Sequence, residues 1–234
     1  MKVNILLLTI DRLDHTRTYV GEALKNAGHP YQLCVTDNGS KVEREVIDLV
    51  RSWKPALHII NDTNKGTAQS LNRMIREYPA EAYVFIGNDI QMPHGWLKTL
   101  VEYADAIPQS GVVGIDWRGL EYPKEVINGK TIKVTTNTFG TMFVTQSTRD
   151  KVGEFCEDYG PYGLWDSDYS LRCTAAGLRN YYVDGLTTTH QGHDVGQDSE
   201  YRRMKDASLK AASPIFNANR VKYEQGDYFR TYAP

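Results

Sequence analysis

The shortages in this sequence narrow it first. It holds only three cysteines, Cys34, Cys156 and Cys173, widely spaced and forming no CxxC pair. An odd, scattered set excludes a disulfide framework and a cysteine-rich zinc site, and fits a reducing compartment. No stretch approaches the roughly 18 consecutive apolar residues of a membrane span. The opening MKVNILLLTIDR ends its apolar run in charge, with no small-residue cleavage site, so it reads as a first strand and not as a signal peptide. A cytoplasmic protein is the expectation. Neither sign of charge is in excess: 27 Lys and Arg against 29 Asp and Glu leave a net charge of -2. That argues against a broadly basic nucleic-acid surface. GxGxxG is missing after the first strand, where DRLDH stands, and GxxxxGK[ST] is missing throughout. A Rossmann dinucleotide site and a P-loop are therefore excluded, and a nucleotide here would be held by side chains and a metal.

What is present is a rhythm. VNILLLT, YQLCVT, LHII and AYVFI are short apolar runs, each followed by a stretch with helical spacing. Strand and helix alternating four times predict a mostly parallel central sheet with helices on both faces, an α/β fold. After GVVGID at 111–116 the rhythm breaks. Residues 117–140 are polar and Gly-punctuated, with one strand-like run at 131–136. TMFVT reads as another strand, and a helix begins near Asp166 with Leu171, Ala175 and Ala176 on its apolar side. The tail is charged and Tyr-rich, with a helix over 201–212 ended by Pro214. With 234 residues, 41% of them hydrophobic, the chain suits one domain with a sizeable core. It divides into halves at about 1–116 and 117–195, with a C-terminal tail over 196–234.

Polar residues gather where the strands stop. The runs end at Thr9-Ile10-Asp11, at Asp37-Asn38-Gly39-Ser40, near Asn61 to Gly66, and at Asn88-Asp89. Asp and Asn end strands and cap helices in any α/β protein, and for Asn38-Gly39 and Asn64-Lys65-Gly66 a turn role is as good as a ligand role. Four such ends on one edge of a parallel sheet nevertheless make a binding crevice by architecture. The second half adds GLWDSDYSLR, with Asp166 and Asp168 at a helix start, and THQGHD, with His190, His193 and Asp194 in a loop. Asp168 reads as an i,i+4 partner of Arg172. Asp166 reads as a helix cap that is also placed to stay ionised. HxxH in a loop is a weak metal signal, though one histidine joining Asp89 on an ion is plausible.

Taken in order, TxDR, DNGS, NxGTAxSxN, NDI…PxGWL and WDSDYSLRxxxAG resemble the family-2 glycosyltransferases of GT-A fold, in particular rhamnosyltransferase-like members. The resemblance covers roughly residues 3–195. It implies a nucleotide-sugar-binding half followed by a mixed acceptor and catalytic half. Thr9 and Asp11 should line the nucleobase pocket, and Asp37 should accept a hydrogen bond from the base. Asn64 and Lys65 should approach the nucleotide, and Asn88 the ribose. Asp89 should bind Mn²⁺ or Mg²⁺, completed by His190, with Asp166 as catalytic base. The family's acid before that base is replaced by Trp165, an aromatic plate for the acceptor or a core residue.

The resemblance implies an inverting, metal-dependent transferase using a nucleotide-diphosphate sugar, with a UDP-sugar favoured. The acceptor stays open between a saccharide, a lipid-linked sugar, a protein and a modified DNA base. A non-catalytic nucleotide- or sugar-binding protein on the same fold is the alternative, supported by Trp165. A metal-dependent hydrolase built on Asp89, His190, His193 and Asp194 ranks last, because it leaves the strand-end cluster unexplained.

Overall fold

The structure is a computed structural model, and it describes residues 1–41, 43–191 and 200–232. A nine-stranded mixed sheet runs through the molecule. The first half supplies β1 (Val3–Thr9), β2 (Gln32–Asp37), β3 (Leu57–Ile60) and β4 (Ala82–Ile86). All four lie parallel in the order β3-β2-β1-β4, as the strand-helix alternation predicts. Along β1, Ile5 and Leu7 enter one core and Leu6 the other. A strand buried on both faces reads as the unbroken apolar run VNILLLT.

The second half completes the sheet differently. β9 (Met142–Thr145) runs antiparallel between β4 and β6 (Ser110–Asp116), and β10 (Arg179–Thr187) follows parallel to β6. A hairpin of β7 (Lys124–Ile127) and β8 (Lys130–Val134) forms the far edge. Its two-residue turn is Asn128-Gly129, with φ of 48° and 77°. Positive φ at both central residues matches the right-handed twist of the flanking strands. Only one strand was expected here. Two further short strands, β5 (Ile90–Gln91) and β11 (Thr189–His190), pair as a separate ribbon.

Helices cover both faces. One core receives α2 (Gly21–Lys25), α3 (Glu43–Ser52) and α5 (Trp96–Ala106) through Ala23, Val46, Val50, Trp96, Leu97 and Leu100. Before α2, a short α1 (Leu13–His15) passes into a π-helical turn at Thr16–Val20. The opposite core receives α4 (Thr67–Glu77), α6 (Gln146–Val152), α7 (Trp165–Ala175) and α8 (Glu200–Glu224). Pro214 does not end the last helix but lies inside it. An interior proline costs about 3 kcal/mol, and tertiary packing offsets it. Ala212, Asn219 and Tyr223 are buried on either side of it, and Tyr223 bonds to Asp168 in α7.

The inner face of α7 also differs from expectation. Leu171 is half-buried and Ala175 exposed, whereas Tyr169, Arg172 and Cys173 are buried with Ser167, Asp168 and Ser170. Arg172 Nε donates to Asp168 Oδ2 at 2.7 Å, with both side chains fully buried. The guanidinium also donates to the carbonyls of Val152 and Glu154. The hydroxyls of Tyr159 and Tyr223 donate to Asp168 Oδ1. The i,i+4 pair is there, set within a satisfied polar network that joins α7 to α8. Burial and the neighbouring Asp168 push the hydroxyls of Tyr159 and Tyr223 well above their ordinary pKa.

Candidate active site

The carboxyl ends of β1, β2, β3, β4, β6 and β10 share one edge of the sheet. The loops leaving them are tied together by their own side chains. Asp37 is fully buried, and both its oxygens are taken. Oδ2 accepts from the hydroxyls of Thr9 at 3.0 Å and Ser40 at 2.6 Å, and Oδ1 accepts from the amides of Gly39 and Ser40. Four donors use the four lone-pair sites of a carboxylate. Thr9 is likewise fully buried. Thr9 and Asp37 thus bond to each other, and Asp37 holds the turn at Gly39 and Ser40. Asp11 stays at the surface of that loop. Its amide donates to Ser40 Oγ at 2.8 Å, and its Oδ1 accepts from the Lys41 amide at 2.6 Å.

Asn38 holds the next two loops. Its Oδ1 accepts from Asn61 Nδ2 and from the Lys65 amide, both at 3.0 Å. Its Nδ2 donates to Asn64 Oδ1 at 2.7 Å. Asn64 and Lys65 are both exposed, and Lys65 makes no ion pair among the described residues. Asn88 donates to Thr16 Oγ1 at 3.0 Å, which fastens the end of β4 to the π-helical turn.

Asp89 stands at the centre. The β5–β11 ribbon pairs His190 with Ile90, and this register sets His190 Nε2 3.6 Å from Asp89 Oδ1. The Gln191 amide donates to the Asp89 carbonyl and locks the ribbon. The other carboxylate oxygen, Oδ2, meets Arg12 Nη1 at 2.9 Å. Arg12 belongs to the TxDR stretch, of which only Thr9 and Asp11 were expected at the site. Asp89 thus faces a cation on one oxygen and an imidazole on the other. Among the described residues no group of three or more His, Cys, Asp or Glu side chains gathers to hold a metal. His193 and Asp194 lie outside the described residues. The pair Asp89 and His190 nonetheless fits a divalent ion. Its oxygen and nitrogen are close enough to share one ion, and such a site leaves positions for phosphate oxygens.

Asp166 lies in the second half of the chain, at the start of α7. It is the second residue of α7, whose N-cap position is held by Leu164. Its Oδ1 accepts from the Ser167 amide at 2.7 Å and more distantly from the Ser167 hydroxyl, which in turn accepts from Asn137 Nδ2 at 2.8 Å. One side of Asp166 meets solvent while protein surrounds the rest, as on a crevice floor. Burial pushes its carboxyl up to about 6, against the pull of the Ser167 hydrogen bonds and the charge of Arg118. Tyr162 links the two acids: burial first, then Asp166 and Asp89, push its hydroxyl up to about 12. Trp165 is 9% exposed and meets Phe85 and Phe155 edge-on at 5.3 and 5.6 Å. It packs against the core at the start of α7. The Trp117 ring lies 5.2 Å from that of His190.

The model of the family described as "Glycosyl transferase family 2" matches residues 14–156, more than half of the chain. This chain belongs to glycosyl transferase family 2. No curated protein sequence matches it significantly. Among solved structures, this family-2 chain is similar to the mannosyltransferase PcManGT from Pyrobaculum calidifontis, in complex with GDP-Man and Mn²⁺. The TM-score is 0.68 at 16% identity, covering 100% of this chain and 66% of that one. TarS 1–349 of S. aureus in complex with UDP gives a TM-score of 0.59 at 16% identity, over 80% of this chain and 59% of that one. GalNAc-T7 with UDP, GalNAc and Mn²⁺ gives 0.62 at 12% identity, over 81% of this chain and 44% of that one. At such identities the likeness shows the fold, which is GT-A. The family-2 chain spans about half to two thirds of the length of these three. Among its described residues no helix is long and apolar enough to cross a membrane.

Proposed function

We propose that this chain moves a glycosyl group from a nucleoside diphosphate sugar to an acceptor hydroxyl, with inversion at the anomeric carbon. The observation that carries the proposal is the meeting of Asp89 and His190 across the β5–β11 ribbon. Asp166 opens a helix on the facing half. Asp89 and His190 would hold one divalent cation. Manganese suits their mixture of carboxylate oxygen and imidazole nitrogen better than magnesium does. When bound, the cation supplies positive charge against which a diphosphate can depart. Arg12, at 2.9 Å from Asp89, adds a second positive charge that belongs to the chain.

The remaining roles fall to side chains on the page. Asp11, Asn64 and Asn88 form the wall offered to the nucleoside, with Thr9 and Asp37 fixing that wall from behind. Lys65 stands exposed beside it, where a phosphate would find a cation. Asp166 takes the proton of the acceptor hydroxyl. With a pKa near 6 it is ionised at neutral pH yet more basic than an ordinary aspartate, as a general base requires. A base and a leaving group on opposite sides of the anomeric carbon give inversion. Uridine is the favoured nucleoside, and the presence of UDP in two of the three similar structures supports it.

A thermal-shift comparison of UDP and GDP, each with Mn²⁺ or EDTA, tests the reading. A ligand at a hundred times its Kd adds about 2.7 kcal/mol of stability. The expected result is a rise in Tm with UDP and Mn²⁺ that EDTA removes. Equal shifts with and without the metal would contradict the metal assignment.

A further inference from the structure

Arg118 is not used by the chemistry above, and its surroundings are built. β6 ends at Asp116, which is almost fully buried, and Asp116 Oδ1 accepts the Arg118 amide at 3.0 Å. That bond turns the chain and delivers the side chain to the crevice rim. The guanidinium carbon lies 3.9 Å from the centre of the Phe139 ring and 5.3 Å from that of Trp117. A guanidinium so stacked keeps its N–H edge available for a planar anion. Asp116, the nearest carboxylate in sequence, already has Lys133 at 3.6 Å. Arg118 makes no ion pair among the described residues.

The rings that hold it are themselves fixed. The Phe139 amide donates to the Tyr182 hydroxyl at 3.0 Å, and Tyr182 stacks on Tyr122 at 5.3 Å. Gly140 has φ of 81°, and a Cβ there would stand 3.1 Å from the Trp117 ring, so the rim closes on that indole. Arg118 also bears electrostatically on Asp166, the proposed base. Arg118 therefore sits against Trp117 and Phe139, beside His190 through the Trp117 ring, and within electrostatic reach of Asp166.

We propose that Arg118 receives a carboxylate or phosphate carried by the acceptor, which makes the acceptor an anionic saccharide stacked between Trp117 and the Phe139 side. The inference rests on reading Asp166 as the base. The test measures binding of methyl β-glucuronide, glucose 6-phosphate and neutral methyl β-glucoside to the full chain in UDP and Mn²⁺, by calorimetry. UDP affinity, measured first on the same samples, checks the transferase reading separately. At least one anionic sugar should bind roughly ten- to hundredfold more tightly than the glucoside, the worth of hydrogen bonds to a charged partner. Which anion binds separates carboxylate from phosphate recognition. The preference should vanish in Arg118→Ala and return in part in Arg118→Lys, with UDP affinity and Tm unchanged in both. Equal or undetectable binding of all three sugars would overturn the proposal. So would a preference that survives in Arg118→Ala. A fall in UDP affinity in that variant would also overturn it, because the arginine would then serve the donor diphosphate.

Discussion

Asp166→Asn separates catalysis from stability in one substitution. The amide keeps the size of the carboxylate and the oxygen that accepts the Ser167 amide at 2.7 Å. It cannot take a proton. Loss of general-base help costs about a hundred- to ten-thousand-fold in rate, and kcat should fall by that much with UDP affinity unchanged. Stability should move the other way. The folded chain holds the Asp166 proton to a pKa of about 6 against an ordinary 3.8. It therefore binds that proton more tightly than the unfolded chain does. Wild-type stability falls as pH rises from about 4 to about 6, and the full penalty is present above 6.

At about 1.36 kcal/mol per pKa unit, the ceiling of this penalty is near 3 kcal/mol. The solvent-facing side of the carboxyl brings it to about 1–2 kcal/mol. Asparagine escapes the penalty but forfeits a favourable charge at the helix start, worth about 0.3–1 kcal/mol. A net gain of about 1 kcal/mol should raise Tm at pH 7.5 by about 2–4 °C in a chain of this size. Calorimetric melts at pH 4.5 and 7.5, beside initial rates from pH 5 to 8, read both effects. Wild-type kcat should climb through pH 6, and the variant should lose that limb. Full activity, or a Tm lowered at pH 7.5, would refute the reasoning.

Other substitutions divide ligand-binding roles from scaffolding ones. Asp89→Ala should fold and should bind UDP with an affinity that no longer depends on Mn²⁺; titration calorimetry with and without EDTA checks this. Asp37→Ala leaves the hydroxyls of Thr9 and Ser40, the buried Ser40 amide and the part-buried Gly39 amide without their acceptor, so chemical denaturation should show a loss of about 2–4 kcal/mol. If Asp37 met the base directly, UDP affinity would fall while stability held. Asp168→Asn uncouples a fully buried ion pair and should cost about 3–5 kcal/mol, which lowers Tm by about 6–20 °C in a thermal melt.

The strand ends were legible because parallel strands buried on both faces leave plain apolar runs, and whatever follows each run lies on one edge. Asp89 was read from a strand end, Asp166 from a helix start and His190 from a loop, and the structure pairs Asp89 with His190 across the β5–β11 ribbon. Roles were harder to read. Asp37 in DNGS looks the same whether its oxygens wait for a ligand or close its own loop, and only the structure shows all four lone-pair sites taken. The β5–β11 ribbon, which brings His190 to Asp89, has two residues in each strand, too few for any periodicity. The hairpin of β7 and β8 was readable, since Asn128-Gly129 is a strong turn signal, but the polar residues around it hid its strands. Along α7 the buried positions include Ser, Asp and Arg. Their partners come from α6, α8, the segment at Asn137 and Thr138, and Asn180 in β10, so apolar spacing alone did not mark them. Trp165 offered two roles in sequence, and Phe85 and Phe155 decide for the core.

In the proposed reaction a nucleoside diphosphate sugar is cleaved with the help of a metal that Asp89 and His190 would hold. Release of UDP from a panel of UDP-sugars, followed by a coupled assay with Mn²⁺ or EDTA, tests it most directly. Even without the native acceptor, water should take its place slowly. The expected result is slow UDP release that needs Mn²⁺ and is lost in Asp89→Ala and Asp166→Asn. UDP-sugar binding with no release under any condition, or release that EDTA leaves untouched, would contradict it.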